Sequence, residues 1–535
     1  MNTAFRTIII AAAIIIAALV LPSSGAVAAP HPMTVRTGES AEIDAWVEER
    51  MSARGVPGTA VAVVRGGDVV HLAGYGTADE DGRAVAPDTP FILGSVSKPF
   101  TAVVVGQLVE EGLLSWDEPV WPYLSHHVDE PPEGFETATV EQLLTHTGGL
   151  GMSVGTAGAV KIHDGPDALD RRVDELLSRP LAGTPGEAFE YSNAGPMLLA
   201  AVVEQITGRS FAQELNDRVF GPLGMTGSFA TADDPRGADM AAGHRQWFGR
   251  WRPAELPYDD AGVAMGYIAS TASDLARFMQ AHLDGHPAIP ATAADIATGT
   301  VAPTGWTTTL DAGYGRGWFV DELAGTPVVS HPGSLGHFTA HVLLAPNADG
   351  LGVAVVSNAS SFVASSHEAQ YDLGLGLTHL LLGQEPQPAD PSLLISVVVP
   401  ILAWLLVALL LGAIVRHLVG LRLHGLHAAK GHGARRWVRA LLAGAIYLAV
   451  GAGLLAAPLG LARHFYPDGG WAVTVIAYVA TAWGVTRLGL GAIAMRRNRR
   501  PDSAHMPGRT PAGERTSSRN TPHDARRRHA EPLNT

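Results

Sequence analysis

A serine and a lysine three positions apart are the first residues in this sequence that could do chemistry together. Ser95 and Lys98 lie directly before an apolar, helix-like stretch, and the chain has only two other lysines, Lys161 and Lys430. If a helix begins at Ser95, the two side chains share one face. The lysine could then act as the base that a serine nucleophile needs, since the positive helix end favours a neutral amine. Taken alone, however, the pair is better explained by a capping serine followed by a surface lysine.

A second short motif strengthens the chemical interpretation. Tyr191 and Asn193 form the only Tyr-x-Asn pattern among ten tyrosines, in a loop before the helix predicted at Pro196–Thr207. A tyrosine close to a cationic lysine can have a lowered pKa and accept a proton. The asparagine amide can bind both a C=O and an N–H group of a substrate.

A third motif, His-x-Gly, occurs three times, at His146, His163 and His331. Only His331 follows the tyrosine and lies in strand-like sequence, so we set the other two aside. The candidate segment is therefore His331–Ser334.

The order Ser-x-x-Lys, Tyr-x-Asn and Lys/His-x-Gly resembles the serine β-lactamase and penicillin-binding-protein superfamily. The resemblance is closest to the class C β-lactamase-like branch, which includes DD-peptidases, esterases and D-aminopeptidases, and it covers roughly residues 40–385. Three further segments resemble that branch: Leu143–Leu150, Gly266–Phe278 and Tyr314–Trp318. We interpret Thr145–Leu150 as structural, because a Gly-Gly helix end explains it.

The resemblance implies a role for each matching residue. Ser95 is the acylated nucleophile, Lys98 activates it or relays its proton, and Tyr191 is general base and then acid. His331 replaces a lysine and tunes the site electrostatically. The expected substrate-binding residues are Asn193, Gly333 and Ser334, and the backbone N–H groups of Ser95 and Ser334 would form an oxyanion hole. Neither a metal nor an organic cofactor is implied.

The sequence departs from the family pattern at Pro332, where many members have Ser or Thr. That hydroxyl helps to hold a substrate carboxylate, so we expect weaker recognition of β-lactam or D-Ala carboxylates. The departure favours a peptidase, amidase or esterase.

Hydrophobic periodicity indicates how these residues are positioned. Short strand-like runs occur near both ends of residues 33–385, as in Thr59–Val64 and Phe338–Ala345, with helical patterns between them. We predict an α/β (α+β) fold, in which an antiparallel sheet is flanked by helices and carries an inserted all-helical subdomain. The family fold agrees with this prediction.

Charge is divided unevenly along the chain, whose mean hydropathy is +0.14 and net charge −14. Residues 33–392 carry 18 basic and 46 acidic side chains, a net of −28, whereas residues 393–535 carry +13. The acidic part excludes nucleic acid as a natural ligand, since phosphate binding needs a basic surface. The absence of cysteine excludes disulfides and thiolate metal sites.

The two ends of the chain read as targeting and membrane segments. The sequence pattern of residues 1–28 predicts a signal peptide, and the alternative is an uncleaved anchor helix. A linker at 386–392 precedes three predicted transmembrane helices, at 393–415, 440–462 and 471–495, and residues 496–535 predict a disordered basic tail. Arginines in the 416–439 loop and the tail place those segments in the cytoplasm. The sequence therefore predicts a multi-pass membrane protein whose domain is extracytoplasmic.

Two functions of different classes remain open. The leading hypothesis is a serine hydrolase that acts through an acyl-enzyme on an amide, peptide or ester, such as a cell-wall D-amino-acid peptide or a small ester. The alternative is a penicillin-binding-like sensor or binding module that signals through its membrane helices. Transport by the helices is disfavoured, because three spans with one interior arginine offer little pathway.

Overall fold

A seven-stranded antiparallel sheet forms the centre of the domain. The computed structural model describes residues 39–152, 154–155, 161–290, 313–323, 325–360, 372–385, 397–424, 434–457 and 459–498. Its strands are β1 (Gly58–Arg65), β2 (Asp68–Gly76), β7 (Gly313–Gly315), β8 (Trp318–Leu323), β9 (Thr326–Leu335), β10 (Phe338–Ala345) and β11 (Leu351–Ser357). Their order in the sheet is β2-β1-β11-β10-β9-β8-β7. Strands from both ends of the domain thus meet in one sheet, which confirms the predicted architecture.

Both faces of the sheet are covered, and the central strands are apolar on both sides for that reason. On β1, Ala60, Ala62 and Val64 face the larger core, whereas Val61 and Val63 face the smaller one. The helix α1 (Glu39–Arg54) covers the smaller core together with a helix at Leu377–Leu381, which we number α9 below. This alternation follows from the two-residue period of a strand.

A mostly helical region lies between the two groups of strands, as predicted. It contains α2 (Ser97–Glu110), α3 (Trp121–Leu124), α4 (Val140–Leu144), α5 (Ala168–Leu177), α6 (Ala194–Thr207) and α7 (Phe211–Leu215). Capping boxes at Thr139 and Ser210 fix the starts of α4 and α7, because each side chain satisfies a backbone N–H that has no partner within the helix. The helix α8 (Ala272–Asp284) then packs on β1 and β11.

Two smaller sheets complete the domain. A two-stranded sheet pairs β3 (Phe91–Ile92) with β6 (Ala269–Ser270), and it lies next to the candidate nucleophile. A three-stranded sheet has the order β12-β4-β5 and contains β4 (His244–Trp247), β5 (Arg250–Pro253) and β12 (Ala359–Ser360). Our strand prediction missed the β4–β5 hairpin. After β12, the structure describes the chain again from residue 372, as an irregular turn at Asp372–Gly376 that leads into α9 (Leu377–Leu381).

In the part of the chain that the structure describes, the domain is followed by four helices: α10 (Val399–His424), α11 (Ala434–Leu455), α12 (Leu459–Phe465) and α13 (Pro467–Asn498). Two of the described helices, α10 and α13, contain stretches long and apolar enough to cross a membrane, at Val399–Leu423 and Pro467–Ile493. The three predicted spans are not confirmed as a set. The apolar part of α11 covers only Leu441–Leu455, and its helix ends before residue 462. Residues 1–28 and 386–392, and the tail beyond residue 498, lie outside the described residues.

Candidate active site

Ser95 lies in a tight turn between β3 and α2. We expected a helix to begin at Ser95, but Gly94–Val96 forms a single 3-10 turn, and the α-helix begins at Ser97. Gly94 has φ +57, a left-handed conformation that glycine adopts without steric cost. The Leu93 N–H donates to the Ile268 carbonyl at 2.9 Å, which ties this turn to the loop before β6.

The strand β9 passes directly beside this turn because two glycines allow it. A Cβ at Gly333 would overlap the carbonyl oxygen of Leu93 and lie 3.1 Å from the Ser95 nitrogen. A Cβ at Gly94 would lie 2.5 Å from the Ser334 nitrogen. The backbones of Ser95 and Ser334 are therefore neighbours, and the oxyanion hole expected from their N–H groups stays a prediction.

Lys98 is fully buried, with 1% of its surface exposed. Its Nζ lies 2.9 Å from Ser95 Oγ, 2.8 Å from Asn193 Oδ1 and 2.8 Å from the Met265 carbonyl oxygen. Burial holds the pKa of the Lys98 ammonium well below its ordinary value. The structure thus brings three of the sequence-predicted site residues, Ser95, Lys98 and Asn193, into direct contact.

The partners of Lys98 determine where its lone pair points. A neutral amine has two N–H donors, and the Met265 carbonyl and Asn193 Oδ1 can only accept hydrogen bonds in this geometry. Both donors are thereby used, so the lone pair of neutral Lys98 faces the third neighbour, the Ser95 hydroxyl. In the ammonium form Nζ donates to all three acceptors, the Ser95 hydroxyl included. Loss of one proton lets the Ser95 O–H donate to Nζ instead, which is the geometry of a base beside its nucleophile.

Tyr191 lies on the other side of Lys98. The Lys98 Nζ is 5.0 Å from the centre of the Tyr191 ring. This ring is half-buried and packs with Phe189, Tyr314 and Phe319. Tyr191 and Asn193 come directly before α6, whose start fixes the loop that carries them. Both residues of the Tyr-x-Asn motif therefore lie beside Lys98, Asn193 through a hydrogen bond and Tyr191 through the face of its ring.

His331 is buried behind the tyrosine, with no exposed surface. Its Nδ1 lies 2.7 Å from the Pro332 carbonyl, which can only accept, so the proton is on Nδ1. Its Nε2 then accepts from the Tyr314 hydroxyl at 3.0 Å. Burial holds the pKa of His331 well below its ordinary value. His331 is thus a neutral part of the wall, and the catalytic role expected for it stays a prediction.

His146, which the sequence argument set aside, also belongs to this cluster. Its ring centre lies 4.3 Å from that of Tyr191 and 4.6 Å from that of Tyr314. The Ser192 N–H donates to His146 Nδ1 at 3.3 Å, which places the ring proton on Nε2. Within the part of the chain that the structure describes, this buried Nε2 has no hydrogen-bond partner. Its backbone has φ +60, which is unusual for a residue with a side chain.

Two other contacts at the site were not predicted. The Met265 carbonyl, which binds Lys98, comes from the irregular turn Val263–Tyr267. Met265 directly precedes the segment Gly266–Phe278, which was noted only for its resemblance to the family. Ser334 Oγ lies 2.8 Å from Ser360 Oγ, which joins β9 to β12. A carbonyl has no signature in the sequence, and the serine pair is 26 residues apart, so neither contact could be found from motif spacing.

The fold and this constellation define a class: a domain of the β-lactamase type, with Ser95 directly before the first helix of its helical region. The beta-lactamase family model matches residues 43–376. The chain belongs to that family.

Known relatives carry several activities on this scaffold. The chain is 32% identical over 359 residues to esterase EstB of Burkholderia gladioli, covering 60% of this chain and 90% of the esterase. It is 31% identical over 316 residues to penicillin-binding protein 4 of Amycolatopsis lactamdurans, covering 57% and 81%. The octameric penicillin-binding protein homologue from Pyrococcus abyssi matches with a TM-score of 0.55 at 29% identity, covering 66% of this chain and 79% of that one.

Proposed function

We propose that this protein is a membrane-anchored, extracytoplasmic serine hydrolase that acts through an acyl-serine intermediate on an amide, peptide or ester. The observation that carries the proposal is the contact between Lys98 and Ser95. A buried amine that donates to two groups that can only accept has its third position 2.9 Å from a serine hydroxyl, so its neutral form presents a lone pair to that hydroxyl. A capping serine with a surface lysine would not produce this arrangement.

In the acylation step, Ser95 Oγ attacks the substrate carbonyl carbon while its proton passes to Lys98. The C–O bond to serine forms and the carbonyl oxygen becomes an oxyanion, which the N–H groups of Ser95 and Ser334 stabilise. Tyr191 passes a proton to the leaving amine or alkoxide as the scissile bond breaks, and it regains one from the Lys98 ammonium. Water then attacks the acyl carbon and gives a proton to Lys98, the bond to Ser95 breaks, and Lys98 returns that proton to Ser95 Oγ as the acid leaves.

The environment of the site supports an uncharged substrate end better than a carboxylate. Pro332 occupies the position where a hydroxyl would help to hold a carboxylate, and the buried His331 beside it is neutral. An esterase and a penicillin-binding protein are both relatives at similar identity. We therefore expect esters and amides without a free carboxylate next to the scissile bond to be the better substrates.

Membrane anchoring is supported by the surface of α10. Five of its leucines are each exposed over half or more of their surface: Leu402 50%, Leu405 53%, Leu406 53%, Leu409 59% and Leu423 72%. A contiguous apolar surface of this kind is costly in water and favourable in a bilayer. The basic end of this helix, at Arg416 and Arg422, lies away from the domain along the chain, in agreement with an extracytoplasmic site.

The test is acylation by a fluorescent serine-directed probe, followed by a substrate panel. We expect the full chain to be labelled and to release product from at least one ester, amide or D-amino-acid peptide, and Ser95→Ala to do neither. Labelling without any product release would favour the sensor hypothesis. An unlabelled wild-type chain would refute Ser95 as the nucleophile.

A further inference from the structure

The β4–β5 hairpin, residues 244–253, differs in charge from the domain that carries it. Residues 33–392 hold 46 acidic and 18 basic side chains, yet this hairpin has three arginines and no acid. Arg245 pairs with Arg252 across the two strands, and Trp247 pairs with Arg250. Because cross-strand partners share a face and alternate residues do too, all four side chains lie on one face. This face therefore carries a local positive charge on an otherwise acidic domain.

The opposite face of the hairpin packs on the domain. Trp251, which belongs to that face, donates from Nε1 to the Arg54 carbonyl at the end of α1, at 2.9 Å. The arginine face is therefore directed away from α1. Arg250 and Arg252 are both exposed.

The tip of the hairpin contacts the C-terminal helices. Phe248 and Gly249 form the tip with φ +47 and +75, and a phenylalanine is unusual in this left-handed position. Phe248 is 38% exposed, and its N–H donates to Asp468 Oδ2 at 2.6 Å. Asp468 is the second residue of α13, and its carbonyl accepts from Trp404 Nε1 on α10 at 3.1 Å. The tip thus lies where α13 begins and near the start of α10.

This end of the two helices is the end without the arginine clusters. The other end of α10 carries Arg416 and Arg422, and α13 ends at Arg496 and Arg497. By the positive-inside rule, the hairpin lies at the outer surface of the bilayer. Tryptophan and phenylalanine side chains suit the head-group layer, and arginine binds lipid phosphate with two hydrogen bonds.

We propose that this hairpin seats the catalytic domain on the outer bilayer surface, with its arginine face on the phosphates of anionic lipids and Phe248 in the head-group layer. The proposal rests on the membrane anchoring proposed above and is independent of catalytic activity. The hairpin is also connected to the site. Arg245 on β4 pairs with Ser360 on β12, whose hydroxyl bonds Ser334. The hairpin is therefore connected, through β12, to β9, the strand beside the turn that carries Ser95.

The natural chain has no cysteine, so single cysteines can be labelled cleanly. An environment-sensitive fluorophore is attached at Arg250→Cys, or at Glu133→Cys on the helical region as control, in the full chain reconstituted into vesicles with about 30% anionic lipid. Spin-labelled lipids should quench the fluorophore at position 250 at least twofold more than at position 133. Equal quenching at the two positions would overturn the proposal.

Charge reversal tests the arginine face. Arg252→Glu places an acid opposite Arg245, which forms a favourable cross-strand pair, so the hairpin stays folded while its charge changes. We expect the variant to lose the extra quenching at position 250, whereas Arg179→Glu on the helical region keeps it. Retained quenching in Arg252→Glu would contradict lipid binding by this face.

A carbonate wash separates this proposal from the one it rests on. A chain that leaves the vesicles refutes both the membrane anchoring and the binding of the hairpin to the lipid surface. A chain that stays in the vesicles with equal quenching at positions 133 and 250 refutes only the binding of the hairpin to the lipid surface. Labelling of Ser95 by the acylating probe reports the catalytic proposal independently of both.

Discussion

Replacing Gly333 with alanine should disable acylation by moving a strand, without removing any reacting group. The new Cβ would meet the Leu93 carbonyl well inside about 3.0 Å, the closest approach that Cβ atoms show in real structures. The obstacle is backbone, so no side chain can rotate away. Strand β9 must therefore retreat by about 1 Å from the turn that carries Ser95.

This displacement sets the size of the expected effect. A misplacement of about 1 Å can cost roughly 10²-fold in rate, and loss of one oxyanion-hole donor costs about 10²–10³-fold in kcat. We therefore expect kcat for a good ester substrate to fall by about 10²–10³-fold. The strain itself should lower stability by about 1–3 kcal/mol, as in other overpacked sites, which leaves the domain folded.

The assay compares wild type, Gly333→Ala and Gly183→Ala by the rate of probe acylation and by thermal unfolding. Gly183 is a matched control, because a Cβ there meets nothing within 4 Å and its φ is not positive. We expect a control indistinguishable from wild type. If Gly333→Ala folds and keeps more than a third of the wild-type acylation rate, the close approach of β9 is not needed and the reasoning fails.

Three further outcomes follow from the geometry. Lys98→Met should abolish acylation and raise stability at neutral pH. The pKa of Lys98 is lower in the folded than in the unfolded state, so the unfolded state binds more protons and is favoured as pH falls below the unfolded pKa. Wild-type activity should be lost on the acid side, where the amine is protonated. Equal pH dependence of unfolding in wild type and variant would count against this. His146→Asn, which keeps an acceptor for the Ser192 N–H, should hold kcat within about threefold. His146→Leu should lose roughly tenfold, because it has no acceptor and leaves that buried N–H unpaired; equal losses would exclude a role through Ser192. Arg172→Met should destabilise by about 3–5 kcal/mol in urea unfolding, since it leaves the buried Asp259 without its ion pair at 3.2 Å, and an Asp259→Asn change added to it should recover part of the loss.

Local patterns predicted the sheet well, because its strands carry their own signals. The Phe338–Ala345 strand was placed at its observed bounds, and the Gly66-Gly67 turn with φ +58 and +84 is the hairpin that its sequence indicates. The β4–β5 hairpin was missed for the opposite reason. Its residues are mostly polar or charged, and its turn places a phenylalanine where glycine or asparagine is the usual signal.

The site was predictable in its motifs and not in its supports. Ser95, Lys98 and Asn193, which the structure places in contact, could be identified because each lies in a short motif of recognisable spacing. His146 was rejected by a rule of chain order, although the fold brings it against Tyr191 from 45 residues away in sequence. Contacts of this kind depend on how α4 and α6 pack, which no short window of sequence contains.

The structure also changes the physical reason for a neutral Lys98. The sequence argument relied on the helix dipole, whose effect on a charge in the first turn is about 0.3–1 kcal/mol, less than one pKa unit. Burial can shift a lysine pKa by up to about 3–5 units, and Lys98 is 1% exposed. Burial is therefore the larger effect, and the base exists only while the packing around it, which includes Asn193, Met265 and Tyr191, keeps water out. A change that opens this packing without touching Lys98 should return the amine to its charged form and remove the base.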